Sequence, residues 1–387
     1  MHRSRERILT THAGSLPRPS ALASLHAKKA RGEAVDAGEL ARLAECATAE
    51  VIAHQLAVGL DVINNGEVGR ESFFTYLRHR MSGFGGQSQR RAMGDLLRYP
   101  SYLQELRRAR SGKERVDLLT APQAIDAVRY SSTAPIEEEC AQLRRLLAPH
   151  TGAYAEAFVS SPSPGIVAAA MQNAFYDDLP SYVSALAEAL RMEYRAIADH
   201  GFLLQIDAPD LALERHTLFQ DKPLADFLDF VQLVVAAINR SLDGIAPERV
   251  RLHVCWGNYE GAHDLDVALA DIWPEVAKVR AGAFLISMAN PRHAHEYHLF
   301  ERGCLPEHAL LVPGVIDTTT NYVEHPEAVA DRLLLVARAL GDPTRIIAGT
   351  DCGFESSAGT TMLAPEIAWA KLRSLTEGAK LASERLF

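Results

Sequence analysis

The chain has 387 residues, 48% of them apolar, and a formal net charge of −9 with no basic block. That balance argues against nucleic acid and anionic membrane surfaces as partners, and no run approaches the ~18 apolar residues that span a bilayer. Five cysteines (Cys46, Cys140, Cys255, Cys304 and Cys352), odd in number and widely scattered, speak against a disulfide framework and for metal or reactive-thiol roles. Met1 to Glu6 is charged and no apolar stretch follows, so no secretory signal is expected and the chain reads as cytoplasmic. A homo-oligomer is compatible with this composition; the sequence does not fix its assembly.

In chain order, Ile8-Leu9-Thr10-Thr11-His12 predicts a first strand running into a proline-stopped loop at Pro17 and Pro19. Ser20 to Ala49 carries helical periodicity. Leu60 to Glu67 predicts a second strand that turns at Gly66 and exposes a carboxylate. From about 72 to 136 the pattern breaks down. That stretch is too short and too poor in apolar residues to fold alone, so it reads as an insertion into a single domain. Its arginines Arg78, Arg80, Arg90 and Arg91 read as a solvated face, the alternative being that one reaches an anionic substrate.

Beyond the insertion the beat is regular. Helices are expected over 136–147, 180–200, 224–239, 265–278, 326–341 and 365–387. Strands are expected over 155–160, 202–207, 250–254, 283–288, 308–316 and 345–350. About eight apolar strands alternating with helices imply a parallel sheet covered on both faces. Eight units favour a closed (β/α)8 TIM barrel over an open doubly wound sheet. No GxGxxG follows the first strand, so a dinucleotide fold has no support.

Chemistry in such barrels sits at the C-terminal ends of the strands. The polar residues there are Ser15, Glu67, Ser160, Asp207, His253 with Cys255, Ser287, Asp317, and Asp351 with Cys352. Period-2 alternation puts His253 and Cys255 on one strand face, and Cys352 would arrive from the end of another. Two thiolates and one imidazole form the three-ligand set that leaves a zinc position open. A core cysteine beside a hydrogen-bonded histidine would give the same bare pattern. The candidate catalytic residues are Asp207, Asp317 and His293. His293 and His295 lie in a polar loop, where exposure is the plain alternative.

Several stretches together resemble the cobalamin-independent methionine synthases, in their catalytic barrel. They are Thr10-Thr11-His12-Ala13-Gly14-Ser15-Leu16-Pro17, Asn65-Gly66-Glu67, Gln205-Ile206-Asp207-Ala208-Pro209, His253-Val254-Cys255 and Asp351-Cys352-Gly353. The run His253-Val254-Cys255-Trp256-Gly257-Asn258-Tyr259-Glu260-Gly261 is also similar to zinc enzymes that join coenzyme M to aliphatic epoxides. The resemblance implies Zn2+ held by His253, Cys255 and Cys352, and a small thiol (homocysteine or one like coenzyme M) alkylated by a methyl or alkyl donor. It implies that Glu67 and Asp207 hold the thiol's amino group and Ser15 its carboxylate. The plain readings are a helix N-cap for Glu67 and an acceptor behind a metal-ligating histidine for Asp207. Asp351 reads equally as such an acceptor or as solvated.

Two positions depart from the family. Ser287 stands where the methionine synthases place a further zinc-ligating glutamate, and Thr319 where they place a catalytic histidine. Glu296 could restore the carboxylate after a loop shift. Losing both groups disfavours methyl-tetrahydrofolate, which needs protonation, and favours an epoxide, a sulfonium or another activated donor. The alternatives are a C–S lyase or epoxide–thiol transferase acting without folate, a metal-free barrel resembling uroporphyrinogen decarboxylase, and a binding protein that has lost catalysis.

Overall fold

The computed structural model of the chain describes residues 1–111, 114–360 and 363–387; residues 112 and 113 of the expected insertion lie outside the described residues. Among the described residues ten strands occur in chain order: β1 (Leu9–Thr10), β2 (Val62–Ile63), β3 (Met81–Gly85), β4 (Gln123–Tyr130), β5 (Glu156–Pro162), β6 (Leu203–Asp207), β7 (Val250–Val254), β8 (Ala283–Ile286), β9 (Leu310–Ile316) and β10 (Ile347–Thr350). Eight of them form one parallel sheet in the order β1-β10-β9-β8-β7-β6-β5-β2. Each neighbour follows its neighbour in sequence, and the last strand returns to the first. This is the expected (β/α)8 barrel.

The seam between β1 and β2 carries no strand ladder and is closed by a side chain. Asp61 accepts from Thr10 N at 2.8 Å and Thr10 Oγ1 at 3.0 Å, and its own amide donates to Thr10 O at 3.1 Å. The second strand is shorter than expected because side chains claim its next backbone groups. Asn64 Oδ1 accepts from Gly66 N, and Asn65 Oδ1 from Glu67 N, so that the chain turns locally instead of pairing.

The helical stretch after β1 is two helices, Ser20–Ala30 and Ala37–Ala57. Gly32 lies between them at φ 79°, and Asp36 starts the second by accepting from Gly38 N and Glu39 N. No described helix is long and apolar enough to cross a membrane.

Between β2 and β5 the chain builds the antiparallel pair β3–β4 and the helices Gly94–Arg98 and Pro100–Arg110. Met81, Ala124 and Val128 from this pair join the main hydrophobic core. The solvated-face reading fails for two of its arginines. Arg80 is buried and paired with Glu139 and Glu193, and Arg90 is paired with the buried Glu214. A guanidinium taken out of water needs such partners. Arg91 is half exposed, against Asp221.

The barrel interior mixes small apolar clusters with polar groups. Leu285, Val312 and Ile347 pack together, while the Arg251 guanidinium lies 4.1 Å over the Phe158 ring and donates to Thr11 Oγ1 and His12 O.

Candidate metal and active site

His253 and Cys255 project from the end of β7, and Cys352 from the loop just after β10. Their ligand atoms all lie within 4.8 Å of one another, and the two sulfurs are 3.9 Å apart. Parallel register sets Asp207 of β6 opposite His253, and Asp207 Oδ1 sits 3.0 Å from His253 Nδ1. Gln205 Nε2 donates to the same oxygen at 2.8 Å. The accepting role of Asp207 behind a histidine is therefore what the geometry displays, with the carboxylate still on the cavity wall.

The three groups titrate together. The Cys352 thiol donating to it, opposed by burial, and the charge of His253 hold the Cys255 thiol well below its ordinary range. Cys352 keeps the remaining proton, because that same bond to Cys255 and burial push it well up. Burial pulls His253 down, but Cys255 and Asp207 outweigh it and bring the ring to about 10.

A cavity opens over this trio and is lined by Ser15, Glu67 and Asp207 among its polar residues. Ser15 is pinned by Phe354 N donating to its carbonyl at 2.8 Å. Gly353 packs against it so closely that a Cβ there would fall 2.0 Å from Ser15 Oγ. Glu67 has φ 56°, a left-handed conformation rare for a side-chain-bearing residue. It caps no helix. Arg18 holds its carbonyl at 2.8 Å, Ser160 Oγ donates to Oε1 at 2.8 Å, and Oε2 is buried without a partner among the described residues. Burial and the nearby Asp207 raise the Glu67 carboxyl to about 7, against the pull of Arg70.

No family model matches the chain. It is 24% identical over 378 residues to the methionine synthase of Thermococcus kodakarensis, covering 97% of this chain and 94% of that one. It is 25% identical over 382 residues to the methionine synthase of Saccharolobus solfataricus, covering 97% and 95%. The chain resembles methionine synthases along almost its whole length. Among solved structures, the B12-independent methionine synthase of Shewanella sp. W3-18-1, in complex with selenomethionine, shares the fold with a TM-score of 0.72. It is 18% identical and is matched over 98% of this chain and 99% of that one. A methyltransferase from Methanosarcina mazei aligns with a TM-score of 0.53 at 11% identity, over 97% of this chain and 94% of that one.

The other expected residues surround a second, smaller cavity. Ser287, Asp317, Thr319, His293, Asp351 and Cys352 are among its walls. Cys352 thus borders both cavities. Asp351 is not solvated. Its carboxylate accepts from the backbone amides of Met288, Ala289 and Asn290, each at 2.8 Å, and burial lifts it to about 6. Ser287 Oγ donates to the Asp351 carbonyl at 2.6 Å, so the departure position does lie beside Cys352. Glu296 is turned elsewhere, accepting from Leu269 N. Asp317 Oδ1 is occupied by Thr319 N and Oγ1. His295 is exposed, as its polar loop implies, but His293 is buried and stacks on Trp256 at 3.8 Å.

Sequence reasoning passed over His263, Asp266 and His216, which gather around His293. The available signal was His263 and Asp266 three residues apart in the polar loop after Cys255.

Proposed function

We propose that the chain is a zinc-dependent cytoplasmic transferase that takes up a small thiol and moves a methyl or alkyl group onto its sulfur. The observation that carries this reading is the Cys255–Cys352 pair, 3.9 Å apart, beside a histidine braced by Asp207. Zinc–sulfur bonds of about 2.3 Å in a tetrahedron separate two sulfurs by about 3.8 Å. A ring nitrogen held by a carboxylate orients its partner nitrogen toward a metal. His253, Cys255 and Cys352 therefore fit zinc. When bound there, zinc supplies an open ligand position and the positive charge that keeps a thiol deprotonated at neutral pH.

The rest falls to this chain's own residues. Glu67 Oε2 is a buried acceptor in want of a donor, which suits the ammonium of an amino-acid thiol. Ser15, on the same cavity wall, suits its carboxylate. Homocysteine carries both groups. Coenzyme M carries a sulfonate and no amine, and would leave Glu67 without a partner. Phe73, Met93, Leu118, Leu119, Ile166 and Leu213 form an apolar part of the remaining wall, beside the polar Arg90, Asn258 and Ser356. That apolar wall keeps water from the carbon to be attacked and suits an uncharged or weakly polar alkyl donor. Ser287 and Thr319 leave no added carboxylate and no histidine at the two positions of family departure, which favours a donor that needs no protonation.

The test is zinc content per chain, followed by X-ray absorption at the zinc edge while homocysteine or coenzyme M is titrated in. About one zinc that gains a sulfur neighbour with homocysteine is expected, with little change from coenzyme M. Cys255→Ser and Cys352→Ser should each lower zinc to well under half without unfolding the chain. Zinc unchanged in both variants, or no zinc in the parent, would sink the proposal.

A further inference from the structure

Beyond the thiol site, three buried histidines crowd one carboxylate. His263 Nδ1 lies 2.8 Å and His293 Nε2 2.7 Å from the same oxygen, Asp266 Oδ2. His216 Nδ1 is 3.5 Å from the other oxygen, Asp266 Oδ1. All four side chains are at most 5% exposed. Neither His216 nitrogen, nor His293 Nδ1, nor Asp266 Oδ1 has a hydrogen-bond partner among the described residues.

Counting protons shows why hydrogen bonding alone serves this cluster badly. A neutral imidazole has one N–H and one bare nitrogen, and the bare one needs a donor. His263 Nε2 faces the Tyr259 carbonyl at 3.1 Å, and its Nδ1 faces a carboxylate. His293 faces Asp266 with one nitrogen and Glu296 Oε1, at 3.5 Å, with the other. Both rings thus look at acceptors on both sides. Either the cluster holds extra protons in a buried place, or something electropositive sits among the nitrogens.

The same arrangement is what a metal site requires of its surroundings. A ligating histidine characteristically donates its other N–H to a backbone carbonyl or a carboxylate, which fixes its tautomer and aim. Tyr259 O performs that office for His263, and Glu296 Oε1 lies 3.5 Å from the free nitrogen of His293 without a hydrogen bond to it. Stacking on Trp256, with planes 16° apart, locks the His293 ring. His263 is held at φ 54°, a costly conformation for a bulky residue. Its amide donates to Asp95 at 2.9 Å. The ligand atoms of His263, Asp266 and His293 lie within 4.8 Å of one another, and both histidines border the smaller cavity.

We propose that His263, Asp266 and His293 form a second metal site for a divalent first-row transition ion, with its open positions facing the smaller cavity. Two imidazoles and one carboxylate are a donor set that such ions accept, and the set contains no thiolate. This inference does not rest on the thiol-transfer reading.

Cobalt(II) separates the two sites, because thiolate ligation gives an intense charge-transfer absorption that nitrogen and oxygen ligation does not. Metal-free protein is titrated with cobalt chloride. The expected result is about two equivalents bound, one with the thiolate band and one without it. Asp266→Asn and His293→Gln should each abolish the equivalent lacking the band and leave the other. Parent protein that binds a single equivalent, all of it with the thiolate band, overturns the proposal even if neither variant folds. So does a second equivalent that survives in both variants.

Discussion

Glu67 stores an electrostatic conflict in the wall of the candidate site. Its carboxyl is buried beside Asp207, and the folded-state value of about 7 stands above the ordinary 4.5. The folded protein therefore holds a proton that the unfolded chain releases between those two values, and stability falls as pH rises through that window. Above pH 7 the native state carries an ionised, half-satisfied carboxylate. Glu67→Gln removes the charge and keeps the shape. In metal-free protein it should leave stability near pH 4 unchanged and raise it at pH 8 by roughly 3 kcal/mol, since each shifted unit corresponds to about 1.4 kcal/mol. Denaturant titrations at the two pH values read this directly; equal effects at both would mean that Glu67 is not the source. On the proposed role of Glu67, the gain in stability should come with loss of homocysteine binding.

At the scale of elements, strand ends place the chemistry, and contacts that are not strand pairs hold those ends. Gly314 in β9 shows how close the approach is: a Cβ there would lie 2.1 Å from Asp351 Oδ1. Asp61 does comparable work at the β1–β2 seam, where Thr10 N has no strand partner and donates to its carboxylate. Asp61→Ala leaves that buried amide unpaired, at about 2 kcal/mol. Arg7, more than half exposed, contributes little through its own pair with Asp61. The denaturation midpoint should drop accordingly, and a loss below ~0.5 kcal/mol would mean that water closes the seam. This distinguishes what was legible from what was not. His253, Cys255 and Cys352 could be read because period-2 spacing and strand-end position are local properties. The shortness of β1 and β2 could not, because Asp61, Asn64 and Asn65 replace ladder bonds with side-chain bonds. The sequence shows these polar residues but not which backbone groups they take. The cluster at Asp266 was half visible: His293 stood out in its loop, while His216 lies far earlier in the chain than either.

For the whole molecule, the illegible part was the stretch between β2 and β5, and the reason is long-range charge. Arginines in a segment of weak pattern look solvated when their partners are far off in sequence. Arg80 meets Glu193, 113 residues later, at 3.0 Å. Tyr130 of β4 donates to the same carboxylate at 2.5 Å, and Arg70 and Arg80 each lie 4.5 Å from the Tyr76 ring. Glu193 belongs to the helix Leu179–Asp199 that covers the barrel. Through it the β3–β4 pair is fastened to the barrel by charge-assisted hydrogen bonds to a buried carboxylate as well as by Met81, Ala124 and Val128 in the common core. Unfolding the pair alone would take Arg80 and Tyr130 away from the buried Glu193 and leave its charge short of partners, which costs more than separate melting could recover. Calorimetry of the metal-free protein should therefore show one endotherm, with Glu193→Gln moving that single peak down instead of splitting it. An early second transition in the parent protein would mean that the inserted segment is a unit of its own, joined to the barrel by contacts of little energy.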